Sequence, residues 1–173
     1  MTSNLTLSSL ESTDIKDIVD AFKSIGWNKP ISLFKAYLKD QSEGIRSVIV
    51  AKVNGEFCGY VTLKFKSQYP YFTQNNIPEI SDLNVLPEYQ NAGIGTKLII
   101  ACEKLAHERG CRIVGIGVGM TRDYGNAQRL YVKHGYIPDG NGLHYKNQPL
   151  RYGDKVSVDD DLVLYFTKWL SNK

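Results

Sequence analysis

A chain of 173 residues is long enough for one well-buried core and short for two ordinary domains, so a single domain over residues 1–173 is expected. Its 42% hydrophobic and 23% charged content belongs to a folded globular protein rather than a disordered one. A net charge of +3 without any Lys/Arg run argues against nucleic acid as a partner, and no apolar run approaches the ~20 residues of a membrane span.

The N-terminal stretch MTSNLTLSSL lacks the basic start and apolar run of a secretory signal, which points to the cytoplasm. A short strand is expected over Leu5 to Leu10. Ser12 or Thr13 then stands where a helix N-cap belongs, with Ile15, Ile18, Val19 and Phe22 at helical spacing. Pro30 opens a second helical pattern with Leu33, Phe34, Tyr37 and Leu38 on one face.

From Ile45 the pattern turns β-rich. IRSVIVAKV and FCGYVTLKF are joined by NGE, where Asn54 and Gly55 suit a tight hairpin turn. KSQYPYFTQNNIPE reads as a loop and ISDLNVL as a strand stopped by Pro87. Next comes the clearest helix, with Ile94, Leu98, Cys102 and Leu105 on one face and Ala101 alongside, ending before Gly110. RIVGIGVGM is a strand, Asn126 to His134 a short helix, and DLVLYFTKWL a late strand. This succession predicts an α/β or α+β mixed sheet.

Cys58, Cys102 and Cys111 are odd in number and show no C-x-x-C spacing, so buried free thiols are expected, with neither a disulfide framework nor a metal site.

The chemistry concentrates at Gly93 and Gly95. A strand leading through a glycine turn into a helix aims backbone N–H groups and the positive end of the helix dipole at one spot, which favours an anion. Absent Cβ atoms let a phosphate approach the backbone, while Ile94 can turn inward. The Walker pattern G-x-x-x-x-G-K-[ST] fails because Leu98 follows Lys97, and G-x-G-x-x-G fails because Leu98 replaces its third glycine. GIGVG at Gly115 to Gly119 offers no helix start and reads as close packing.

LNVLPEYQNAGIG resembles the acyl-CoA signature of the GNAT superfamily of N-acetyltransferases, Q/R-x-x-G-x-G/A between a strand and a long helix. Gln90, Asn91, Ala92, Gly93, Ile94 and Gly95 fill it without a gap. YGNAQRLYVKHGY resembles the second motif of that superfamily through Asn126, Tyr131, Gly135 and Tyr136. The resemblance covers Ile45 to Tyr136 well, the N-terminal helices by order and the tail loosely. It implies a mixed, mostly antiparallel central sheet flanked by helices.

It further implies that the backbone of Leu83, Asn84 and Val85 receives the pantetheine arm and thioester, that amides from Asn91 to Thr96 hold the pyrophosphate, and that Asn126 contacts CoA. Tyr131 would protonate the leaving thiolate. Each position also has a structural reading: Leu83 and Val85 as core, Asn126 as a helix N-cap, and Tyr131 as a core aromatic beside Ala127, Leu130 and His134. A direct attack needs a neutral amine, for which a base is useful. Period-2 alternation sends Glu79 and Asp82 to opposite faces, and Glu79, at the loop-to-strand mouth, is the expected base, acting through a water, with Asp82 a structural carboxylate. Some superfamily members carry a Glu on the strand before the Asn motif; here none precedes Asp123.

Trp27, Tyr69, Tyr71 and Phe72 fall in regions that border the acceptor cleft in the family and read equally as packing or surface residues; Asp159, Asp160 and Asp161 could attract a cationic amine but read better as a solvated turn before the last strand. The expected function is transfer of acetyl from acetyl-CoA, the co-substrate, to a primary amine of a small molecule, without metal, by a monomer or homodimer. A protein N-terminal or lysine acetyltransferase and a non-catalytic acyl-CoA-binding module are the alternatives.

Overall fold

The computed structural model describes residues 4–170. The chain falls into two units, one running to Phe65 and including Ser81–Leu105, the other made of Lys66–Ile80 and the residues from Ala106 on.

In the first unit, Asn54 and Gly55 (φ 52° and 88°) close the expected hairpin between β2 (Arg46–Val53) and β3 (Glu56–Lys64). β1 (Leu5–Ser9) pairs antiparallel with β2, and the strand order continues through β3 to β4 (Glu79–Val85). The apolar stripes of α1 (Asp14–Ser24) and α2 (Ile31–Ser42) bury Ile15, Ile18, Phe22, Phe34 and Tyr37 in one core with Leu10, Val48, Val50, Tyr60 and Leu86. Removing a side chain such as Phe22 from water contributes about 1.5–3 kcal/mol. The α1 cap differs from expectation: Thr13 sits at the N-cap in helical backbone conformation (φ −67°, ψ −25°) and makes no capping bond. A capping hydroxyl needs extended backbone. The Asp14 carboxylate instead accepts from Glu11 N–H (2.9 Å) and from Lys52 Nζ (2.6 Å). In α4 (Ile94–Glu108), Ile94, Leu98, Ile99 and Cys102 are buried.

In the second unit, β4 pairs parallel with β5 (Ile113–Gly119) through Glu79↔Gly115 and Ile80↔Ile116. The order runs on through β8 (Leu162–Trp169), β6 (Ile137–Tyr145) and β7 (Gln148–Pro149), all paired antiparallel. α5 spans Gly125–Lys133. The stretch expected as a loop contains a short helix, α3 (Pro70–Gln74), whose proline stands at the first helical position, where its missing N–H costs nothing. β6 and β7 escape the alternation pattern. A register shift between Pro138 and Leu143 lifts the Gly-containing segment out of the ladder, and Lys146 and Asn147 (φ 51° and 62°) make a two-residue hairpin turn.

From Gly115 to Gly119 one face of β5 is bare backbone. A Cβ at Gly115 would run into the Phe72 ring, one at Gly117 would lie 2.8 Å from the Tyr165 ring, and one at Gly119 would meet the Tyr124 ring. The GIGVG run is close packing, as expected. The fold class is also the expected one, a mixed, mostly antiparallel sheet flanked by helices. Among the described residues no helix is long and apolar enough to cross a membrane.

Candidate active site

Within the first unit, β4 gives way to a turn that ends in α4. Leu86 N–H donates to the Cys58 carbonyl (2.9 Å), a single 3-10 turn follows over Pro87–Tyr89, and Gln90 Nε2 reaches back to the Val85 carbonyl (3.1 Å). Asn91 and Gly93 then take left-handed backbone (φ 61° and 78°). Lys97 N–H donates to the Gly93 carbonyl (3.1 Å), so the amides of the preceding turn lie ahead of the α4 ladder. Asn91, Ala92 and Gly93 are exposed, Ile94 is 4% exposed as the expected inward anchor, and the first turn carries no acidic residue. A Cβ built on Gly93 meets nothing within 4 Å. Alternating left-handed residues before a helix start form an anion-binding concavity, and these residues fit a phosphate group.

Strand β4 is not regular. Asp82 is left-handed (φ 51°) within it, so the regular strand geometry is interrupted at this residue. The Asp82 carboxylate receives Lys29 Nζ (2.7 Å) and Asn84 Nδ2 (2.8 Å) on Oδ1, and the hydroxyls of Tyr37 (2.8 Å) and Tyr60 on Oδ2. Burial alone would raise its pKa, but the Lys29 charge and the donated hydrogen bonds outweigh burial and hold it below the ordinary aspartate value. Burial and the adjacent Asp82 push the Tyr37 and Tyr60 hydroxyls up in turn. Leu83, Asn84 and Val85 are half-buried. Gly59 on β3 admits this strand: a Cβ there would lie 2.5 Å from the Asn84 carbonyl oxygen.

The second unit carries the other candidates. Glu79 is 8% exposed, and Oε2 accepts from Ser67 Oγ (2.7 Å), which itself accepts from Tyr69 N–H (2.9 Å). Tyr131 is 5% exposed and packs near Tyr136, with ring centroids 6.1 Å apart. Burial, reinforced by Tyr124, holds its hydroxyl proton well above the ordinary tyrosine range. Asn126 is exposed in the first turn of α5, and the N-cap position belongs to Tyr124, so the capping reading of Asn126 does not hold. Tyr124 lays its ring where the Gly119 side chain is absent, and Gln128 Nε2 donates to the Gly119 carbonyl (2.8 Å), seating α5 on the end of β5.

Of the cleft aromatics, Tyr69 and Phe72 are core. Tyr69 stacks on Tyr165 at 3.7 Å, with Phe72 edge-on to both rings. Trp27 and Tyr71 are exposed, Trp27 stacking on Phe22. The acidic run is a tied turn: Asp159 accepts from the Tyr145 hydroxyl and Asp161 N–H, and Asp160 from the Tyr124 hydroxyl. Cys58 and Cys102 are buried and Cys111 is half-buried, all as free thiols. Among the described residues no three or more His, Cys, Asp or Glu side chains gather as metal ligands. Lys29, Tyr37, Gly59 and Tyr60 went unforeseen because their partners on β4 stand 22 to 53 residues away and no local pattern marks them.

The sequence profile of the acetyltransferase (GNAT) family matches residues 13–136, and the chain belongs to that family. It is 32% identical over 116 residues to the uncharacterized N-acetyltransferase YhfO of Bacillus subtilis, a match covering 64% of this chain and 72% of that one. It is 31% identical over 103 residues to the aminoalkylphosphonate N-acetyltransferase of Salmonella typhimurium, covering 60% and 62% respectively. In fold it is similar to YncA of Salmonella typhimurium, solved with its cofactor acetyl-CoA, with a TM-score of 0.69 at 17% identity over 98% of this chain and 95% of that one.

Proposed function

We propose that the protein is an N-acetyltransferase that moves an acetyl group from acetyl-CoA to a primary amine of a small molecule by direct attack. The observation that carries this is the open, left-handed Gly93 turn at the start of α4, in a chain of the acetyltransferase (GNAT) family. Amides from Asn91 to Thr96, with Gln90 steadying the turn through Val85, hold the pyrophosphate. The backbone of Leu83, Asn84 and Val85 aligns the pantetheine arm as an added strand would, and Asn126 supplies a further CoA contact. Support for a small amine as acceptor comes from the relative named for aminoalkylphosphonates.

At neutral pH an amine as basic as lysine is unprotonated in only about one molecule in a few thousand. Asp82 is a poor proton acceptor because four donors already occupy its carboxylate. Glu79 is assigned that task through a water. Tyr131 gives its proton to the departing thiolate; burial raises its pKa and so keeps the hydroxyl in the protonated form that an acid must start from. The test is thiol release from acetyl-CoA across a panel of small amines and peptides, with product masses determined. A small amine is expected as best acceptor, and release with none would overturn the reading. Tyr131→Phe keeps the ring and is expected to lower kcat roughly 10²-fold with CoA affinity little changed. Full kcat in that variant, where chemistry limits the rate, would remove the acid assignment.

A further inference from the structure

We infer that Asp82 is a positioning residue that ties the turn between α1 and α2 to the stretch of β4 assigned to the pantetheine arm, so that each orders the other. The inference rests on the CoA reading given above.

A carboxylate offers about four lone-pair directions, and all four are used here. The donors come from four places in the first unit: Lys29 from the α1–α2 turn, Tyr37 from α2, Tyr60 from β3, and Asn84 two residues further along β4. Asp82 holds left-handed backbone, which an aspartate tolerates better than most side chains but still does not prefer. Asn84 Nδ2 also bonds the Asp82 carbonyl (3.1 Å), closing a local ring just where Leu83 to Val85 begin. The carboxylate therefore fixes the direction in which the following amides point.

Lys29 is the outward end of the same device. Its ammonium lies 5.9 Å from the Phe22 ring centre and 5.6 Å from that of Tyr60, and its side chain is 21% exposed, so the charge is held rather than free. Lys29 also lines a cavity of about 420 Å³ at the turn, with Lys23, Trp27 and Asn28. One ammonium is thus shared between the wall of this cavity and the irregular residue of β4. A part-buried ion pair of this kind adds little net stability against an apolar replacement, but removing one partner leaves the other charge uncompensated. If CoA favours one arrangement of Leu83 to Val85, it must by linkage favour the arrangement of the turn that supports it.

The test uses the full chain with CoA as probe, reading hydrogen exchange at residues 26–29 and CoA affinity by calorimetry. CoA is expected to slow exchange at the turn in the wild type. Asp82→Gly, which accepts the left-handed backbone without the tether, and Lys29→Met are each expected to abolish that protection and to weaken CoA on the order of tenfold. Asp82→Asn, which retains an acceptor, should recover part of both. Should Asp82→Gly not fold, Lys29→Met and Tyr37→Phe carry the same readouts. Variants that bind CoA like the wild type below their melting temperatures, or a turn whose exchange CoA leaves unchanged, would overturn the inference alone. A wild type that does not bind CoA would overturn the reading beneath it as well.

Discussion

Two glycine-rich stretches of this chain look alike on paper and do opposite things. Along β5, Gly115, Gly117 and Gly119 leave room that the protein fills itself, with the rings of Phe72, Tyr165 and Tyr124. At the start of α4, the space beside Gly93 is taken by nothing within 4 Å, and the flanking Asn91 and Ala92 are exposed. Glycine alone therefore does not mark a binding site. The distinction lies in whether the missing side chain is replaced from within, and it separates positions whose substitution costs stability from those whose substitution costs ligand.

The largest effect on stability is expected where the filling is tightest. Gly115→Ala drives a methyl group into the fully buried Phe72 ring and should destabilise the protein by about 1–3 kcal/mol in urea denaturation, as overpacked cores do. An unchanged midpoint would erase the contrast. Asp82 sharpens it from another side, since there the first unit uses left-handed backbone and a side chain together. Asp82→Asn should cost on the order of 2 kcal/mol at neutral pH, the scale of hydrogen bonds to a charged group. Because the folded pKa of Asp82 is depressed, this contribution is fully present above the unfolded value. It is lost as pH falls through the folded one, so the gap between wild type and variant should narrow below about pH 4. A gap that widens with acid would contradict the ion-pair account. The smallest effect belongs to the open turn: Gly93→Ala meets no atom and pays only for left-handed backbone, roughly 1 kcal/mol.

Local signals were legible and distant ones were not. The Asn54–Gly55 turn, the apolar stripe of α4 and the order of the two motifs are short-range features, and each element stands where the pattern predicts. β6 was hidden because Pro138, Gly140 and Gly142 suppress alternation, and the strand tolerates them only through a register shift. Residues Gln90 to Thr96 could be proposed from the motif, and their exposed turn is found at the mouth of α4. The carboxylate network could not be read, because the donors to Asp82 include Lys29, Tyr37 and Tyr60, brought together only by tertiary packing. The irregularity of β4 was hidden for a related reason: Asp82 takes left-handed backbone inside the strand, and nothing in ISDLNVL announces it.

The measurement closest to the central claim is calorimetric titration of acetyl-CoA into the wild type, Gly95→Val and Gly117→Ala, each held well below its melting temperature. Wild type should bind. Gly95→Val, which puts a branched side chain at the opening turn of α4, should lose affinity by 10²-fold or more in protein that is still folded. Gly117→Ala should show a lowered urea midpoint from the methyl group pressed on the Tyr165 ring and affinity near that of the wild type. Wild-type affinity in Gly95→Val would contradict the placement of CoA at this turn.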